Sequence, residues 1–170
     1  MNLAARVTFP LTDKGSYMRR RAILSLIASC SLAACAHQSP PSAMPGMAWS
    51  LNHVEGEGAK LAFGLPQSDN VLLMMSCEPN SGEVLVSANA PTRVRPVLEL
   101  ASGGIKARYM GAIGPALGEG TVIEAQAQAA DPVFASFAKS GDLALTIDGQ
   151  RTAVPGDRAK AHEFVNACRA

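Results

Sequence analysis

Excess positive charge is missing from this chain. Its 170 residues carry 15 basic and 14 acidic side chains, so the basic footprint that a nucleic-acid surface requires is absent. No apolar run after residue 35 reaches the length of about 20 residues that a membrane-crossing helix needs. Gly-x-Ser-x-Gly, His-Glu-x-x-His and the phosphate-binding loop do not occur, which removes the ready signatures of serine hydrolases, zinc peptidases and nucleotide hydrolases. Cys-x-x-Cys is also missing, so a reactive dithiol motif is excluded. No methionine–histidine tract surrounds Met74-Met75, which favours a core role for them over copper binding. No internal repeat is visible.

What is present begins with three arginines, Arg19-Arg20-Arg21. They precede an apolar stretch, Ala22 to Ala34, of about a dozen residues, too short to span a bilayer as a stable helix. Small residues then lead into Cys35 through Leu32-Ala33-Ala34. A cationic region, an apolar region and a small-residue cleavage site in this order are the parts of an export signal.

Residues 18–35 resemble bacterial lipoprotein signal peptides, whose lipobox ends in Leu-Ala-Ala-Cys or close variants. The resemblance implies cleavage of the Ala34–Cys35 bond, a lipid on the Cys35 sulfur and acylation of the new amino terminus. Several acyl chains hold a protein on a membrane durably, whereas one chain gives only marginal binding. The covalent lipid at Cys35 is the only cofactor expected. Residues 1–17 read as an upstream extension or a misassigned start, with Met18 as the better initiator and residues 18–34 as the signal. The paired arginines lack the polar and phenylalanine positions of a folded-protein export signal, so general secretion is expected. Ala36 after the lipidated cysteine, rather than aspartate, resembles the outer-membrane default of well-studied lipoproteins, which implies the outer membrane facing the periplasm.

Residues 35–47 form a lipidated Pro/Ser linker. Its Pro40-Pro41 and Pro45 favour an extended tether, able to reach about 30 Å at roughly 3 Å per residue. Residues 48–170 are expected to form a single globular β-rich domain. Removing Arg6, Lys14, Arg19, Arg20 and Arg21 leaves 10 basic side chains from Cys35 onward, and removing Asp13 leaves 13 acidic ones, a balance of −3.

Two cysteines remain once Cys30 leaves with the signal and Cys35 takes lipid. In an oxidising compartment an even pair predicts a Cys77–Cys168 disulfide, with two separate buried thiols as the alternative.

The strand pattern is strong. Trp49 to His53, Ala59 to Phe63, Val71 to Cys77 and Glu83 to Ala88 read as strands, with Pro66 to Asn70 and Pro79 to Gly82 as turns. The near-continuous apolar run Val71 to Cys77 suggests a strand covered on both faces. Pro96 to Ala101 and Ile105 to Ala112 form a second pair around Ser102-Gly103-Gly104, with Ile105, Ala107 and Tyr109 alternating with Lys106, Arg108 and Met110. Thr121 to Ala127 alternates with Ile123 and Ala125 inward and Glu124 and Gln126 outward.

Asp131-Pro132 is an N-cap followed by proline at the first helical position, and that short helix should end near Ser140-Gly141. Asp148-Gly149 lies between Leu143–Ile147 and Arg151–Val154, the best hairpin signal in the chain. Asp157 starts a terminal helix on which Ala161, Phe164, Val165 and Cys168 make one apolar stripe. The stripe turns Cys168 inward, where Cys77 on a buried strand can meet it. The expected class is mainly β (α+β): a small antiparallel sheet or sandwich with one or two short helices, the C-terminal one packed on the sheet. The stretch from Lys60-Leu61-Ala62-Phe63-Gly64-Leu65-Pro66 through Ser76-Cys77-Glu78, with the Phe164 to Cys168 ending, also resembles small uncharacterised bacterial envelope proteins. That resemblance implies an exported β domain tied by its last helix and carries no activity with it.

Candidate chemistry is sparse. Gly56-Glu57-Gly58 and Gly118-Glu119-Gly120 read as turns. His53 near Glu55 and Glu57 is an acid/base or metal candidate; the same residues also suit a strand-end histidine beside solvated carboxylates. Arg93 and Arg95 suit either an anion or a charged sheet edge. The preferred expectation is a non-catalytic envelope module that binds a protein or glycan partner or assists assembly. The alternatives are a small periplasmic hydrolase or metal-dependent enzyme using His53 with Glu55 or Glu57, and an inhibitor presenting the loop Ala112 to Gly120.

Overall fold

The computed structural model describes residues 43–116 and 120–169. The leader, Ala34, Cys35 and most of the linker lie outside the described residues. Ala43 and Met47, at the end of the expected linker, pack against the hydrophobic core.

Nine strands form one curled antiparallel sheet: β1 (Ala48–Val54), β2 (Gly58–Gly64), β3 (Val71–Cys77), β4 (Glu83–Ala90), β5 (Val97–Ser102), β6 (Ile105–Pro115), β7 (Thr121–Gln128), β8 (Leu143–Ile147) and β9 (Gln150–Val154). Two helices, α1 (Pro132–Ser140) and α2 (Arg158–Cys168), complete the fold. The expected mainly β class is therefore what the chain adopts, as a curled sheet rather than two stacked ones.

The spatial order is β1-β2-β3-β4-β7-β6-β5-β8-β9. Strand β6 makes the curl. Its first half, Ile105 to Met110, pairs with β5, and its second half, Gly111 to Pro115, pairs with β7. Apolar residues alternate onto the inner face, where Leu61, Phe63, Leu73, Met75, Val86, Ile123, Leu98 and Leu145 are buried. The helices fill the hollow and pack on each other, α1 against β5 and β6 and α2 against β1 and β2. Phe134 and Phe137 of α1 and Phe164 of α2 are fully buried there. At about 25 cal/mol per Å² of apolar surface, burying such a ring is worth on the order of 2–3 kcal/mol.

The helix signals hold. Asp131 is the N-cap residue of α1 with proline at the first turn, and Gly141 closes the helix in the left-handed region at φ 77°. Asp131 caps no helical N–H with its side chain. Its carboxylate accepts instead from the Tyr109 hydroxyl at 2.8 Å and the Gln128 N–H at 3.2 Å, tying the helix start to β6 and β7. Asp157 does cap α2, accepting from the Lys160 N–H at 3.1 Å. The Asp148-Gly149 hairpin turns with both residues at positive φ, 48° and 81°, as a type I′ turn requires.

Cys77 and Cys168 are joined by a disulfide, with their Cα atoms 5.6 Å apart. Around it, the Asn80 N–H donates to the Ala167 carbonyl at 3.0 Å and the Gly82 N–H to the Cys168 carbonyl at 2.9 Å. The β3–β4 turn is thus buttoned to the end of α2.

Three local expectations are corrected. Strand β3 is covered on the core face, while Met74 and Ser76 are only half-buried on the other. A register shift after Phe63 leaves Leu72 without a cross-strand partner, and the bulge lets Leu72 and Leu73 both be buried. Ile105 sits at the rim of the hollow and is 40% exposed, although it shares a face with buried Tyr109. Arg93 and Arg95 precede β5, which lies between β6 and β8 and is not a sheet edge.

Candidate functional site

A cleft of about 620 Å³ opens on the outer face of β3, β4 and β7. Strand alternation builds it. Met74, Ser87 and Glu124 stand in one row across the three strands, because Met74 is registered with Ser87 and Ser87 with Glu124. Met74 and Val122 give the cleft apolar surface, and the turn Ser68 to Asn70 and Pro115-Ala116 wall it.

The polar groups of the cleft are held in place. Ser87 is buried and its hydroxyl donates to Glu124 Oε1 at 3.4 Å. Asn89 Nδ2 donates to the Val71 carbonyl at 2.6 Å. In the walling turn, Ser68 Oγ donates to the Leu65 carbonyl at 3.0 Å and accepts from the Asn70 N–H at 3.2 Å. Among the described residues the lining includes two carboxylates, Asp69 and Glu124, and no cation. No histidine lines it among the described residues; the group that Ser87 meets is the Glu124 carboxylate. Apolar surface with a few fixed polar groups is the usual lining of a small-ligand site.

The histidine candidates disperse. His53 lies on the inner side of edge strand β1, and its Nε2 meets Glu163 Oε1 of α2 at 3.0 Å, with both side chains more than half exposed. Glu57 turns away to pair with Lys60 within the β1–β2 hairpin; that ammonium group, by hydrogen bond and charge, holds the Glu57 carboxyl below its ordinary value. Glu55 is exposed in the same turn, and no hydrogen bond or ion pair joins it to His53 among the described residues. No group of three metal-ligating side chains comes together among the described residues. His162 lies on the polar face of α2 beside Asn166, at 3.2 Å.

Met75 is core, as the sequence suggested, whereas Met74 lines the cleft. Of the loop Ala112 to Gly120, residues through Pro115 belong to β6, and residues 117–119 lie outside the described residues. Ser87 and Asn89 were not legible as site residues. The outward position of Glu124 was, but its pairing with Ser87, 37 residues earlier, belongs to the β4–β7 ladder, which no local pattern announces.

Elsewhere the Tyr109 phenol is driven well above its ordinary value, first by burial and then by its hydrogen bond to Asp131. The Asp157 carboxyl is lowered by hydrogen bonds from the Lys160 side chain and backbone. Among the described residues, no helix is long and apolar enough to cross a membrane. Compared with known proteins, the chain matches no family model, no curated protein and no solved structure.

Proposed function

We propose that the chain is a membrane-anchored periplasmic lipoprotein whose β domain is a non-catalytic envelope binding or assembly module. The observation that carries the reading is the ordered leader: three arginines, a dozen apolar residues, then Leu32-Ala33-Ala34-Cys35. The Cys77–Cys168 bridge supports it, because disulfides persist in exported proteins and are rare in reducing compartments. The acyl chains on Cys35 anchor the domain to the outer membrane from its periplasmic side. A protein or glycan partner occupies the cleft around Met74, Ser87 and Glu124, whose fixed hydroxyl, amide and carboxylate groups offer hydrogen bonds above an apolar floor.

The test is intact-mass analysis of the native product, paired with detergent partitioning. The expected product begins at Cys35, carries acyl mass and enters the detergent phase; Cys35→Ser abolishes all three. A native product without acyl mass sinks the assignment.

A further inference from the structure

Charge is unevenly divided over the domain. Of the ten basic side chains from Cys35 onward, Arg93, Arg95, Lys106, Arg108 and Arg151 belong to the quarter built from the β5 approach, β5, β6, β8 and β9. The carboxylates there are Glu99, Asp142 and Asp148, so this quarter carries +2 while the rest of the mature chain carries −5. The register gathers much of this charge on the outer face. Arg108, Glu99, Thr146 and Arg151 form a single row across β6, β5, β8 and β9. In the next row Lys106 is followed by Ala101, Ala144 and Ala153, small residues that floor a trough of about 370 Å³ lined by two cations, Lys106 and Arg151, and one carboxylate, Asp142.

The cations differ in how firmly they are held. Glu99 engages Arg108 at 3.0 Å and Lys106 at 3.6 Å, and Asp148 reaches Arg95 at 3.5 Å. No ion pair engages Arg151 among the described residues. Met110 rises from the same face, registered with Val97, and is 74% exposed, the highest value among the large apolar side chains described.

A second, independent observation fixes where this face lies along the chain. Trp49 Nε1 donates to the Pro155 carbonyl at 2.7 Å, and Pro155 lines the trough. The first strand of the domain is therefore pinned beside the cationic face. Cys35 is eight residues before Ala43, at most ~28 Å of extended chain.

We infer that this cationic face, with Arg151 and Lys106 at its trough and Met110 projecting from it, docks on the anionic lipid headgroups of the membrane that holds the anchor. The inference rests on the lipoprotein reading for its biological setting. Each arginine or lysine near an anionic surface adds roughly fivefold in affinity, and the tether supplies a high effective concentration of headgroups. The docked face orients the domain, so that the cleft of β3, β4 and β7 is presented away from the lipid to an envelope partner.

The test separates the face from the anchor. The processed chain, residues 35–170 with Cys35→Ser so that neither leader nor lipid contributes, is mixed with vesicles of phosphatidylcholine, with or without phosphatidylglycerol, and bound protein is sedimented. Binding to the phosphatidylglycerol vesicles is expected, falling with salt. Lys106→Gln with Arg151→Gln on the same background is expected to weaken it by on the order of tenfold or more. Lys139→Gln, on α1, is expected to leave it within about twofold. Retained circular dichroism and an intact disulfide establish that the exposed substitutions leave the fold in place. Equal binding by the double variant and its parent overturns the inference, as does equal binding to both vesicle types. Release from the vesicles by inorganic phosphate at an ionic strength where chloride releases none also overturns it, by showing a free-anion site instead. Absence of acyl mass on the native product overturns the anchor without altering the vesicle result.

Discussion

Removing the Cys77–Cys168 bridge is expected to cost a large part of the domain's stability. The bridge links residues 91 apart in sequence. In the chain-entropy model, closing a loop of that size in the unfolded state corresponds to ~4.6 kcal/mol at 25 °C. Stabilities of single domains are typically about 5–15 kcal/mol, so the reduced protein should fold but only marginally. Two hydrogen bonds still hold the β3–β4 turn to the end of α2, from Asn80 to Ala167 and from Gly82 to Cys168; each contributes about 1 kcal/mol. The native arrangement therefore survives reduction, with α2 the first element to loosen. Guanidinium unfolding followed by tryptophan fluorescence measures the loss directly. Trp49 is the only tryptophan, and its ring lies 5.3 Å from Phe63 and 5.6 Å from Phe137, so it reports the packing of β1, β2 and α1. Oxidised and reduced wild type are compared with Cys77→Ala/Cys168→Ala, which adds a small cavity term because Cys168 is fully buried. A difference below about 1 kcal/mol between oxidised and reduced protein would refute the loop argument. Two free thiols in the native product would refute the redox argument behind it.

Other perturbations have defined outcomes. Tyr109→Phe removes the hydroxyl that donates to Asp131 and should cost about 1.5 kcal/mol by thermal or chemical unfolding at neutral pH. Because the folded phenol titrates above its ordinary value of 10.0, wild type should lose stability as pH rises past that value, and Tyr109→Phe should lose less. Gly58→Ala should destabilise by more than about 2 kcal/mol: φ is +79°, and a Cβ would run into the Cys77 carbonyl oxygen. Equal midpoints for that variant and wild type would show that the β1–β2 turn is more yielding than its geometry indicates. Asp157→Ala should cost about 1 kcal/mol through the lost helix cap. The Asp157 carboxyl is depressed in the folded state, so its contribution is complete above its unfolded value of 3.8 and disappears as pH falls through the lower folded one. Wild type and variant should therefore converge in an acid titration followed by circular dichroism.

Local chemistry made much of the fold readable in the amino-acid order. Alternation along Thr121 to Ala127, the Asp148-Gly149 turn, the Asp131-Pro132 start and the stripe Ala161, Phe164, Val165, Cys168 each depend on neighbours within a few residues. The same stripe, set against the apolar strand ending at Cys77, agreed with the cysteine count in pairing two cysteines 91 positions apart. What tertiary structure alone decided is the order in which strands lie side by side. Strand β7 inserts between β4 and β6, and β6 changes partner midway. Those choices follow from how a curled sheet closes around two helices, a balance of non-local burial that no window of sequence contains. They bring Ser87 to Glu124, send His53 to Glu163 instead of Glu55 or Glu57, and align Arg108 with Arg151 in one row.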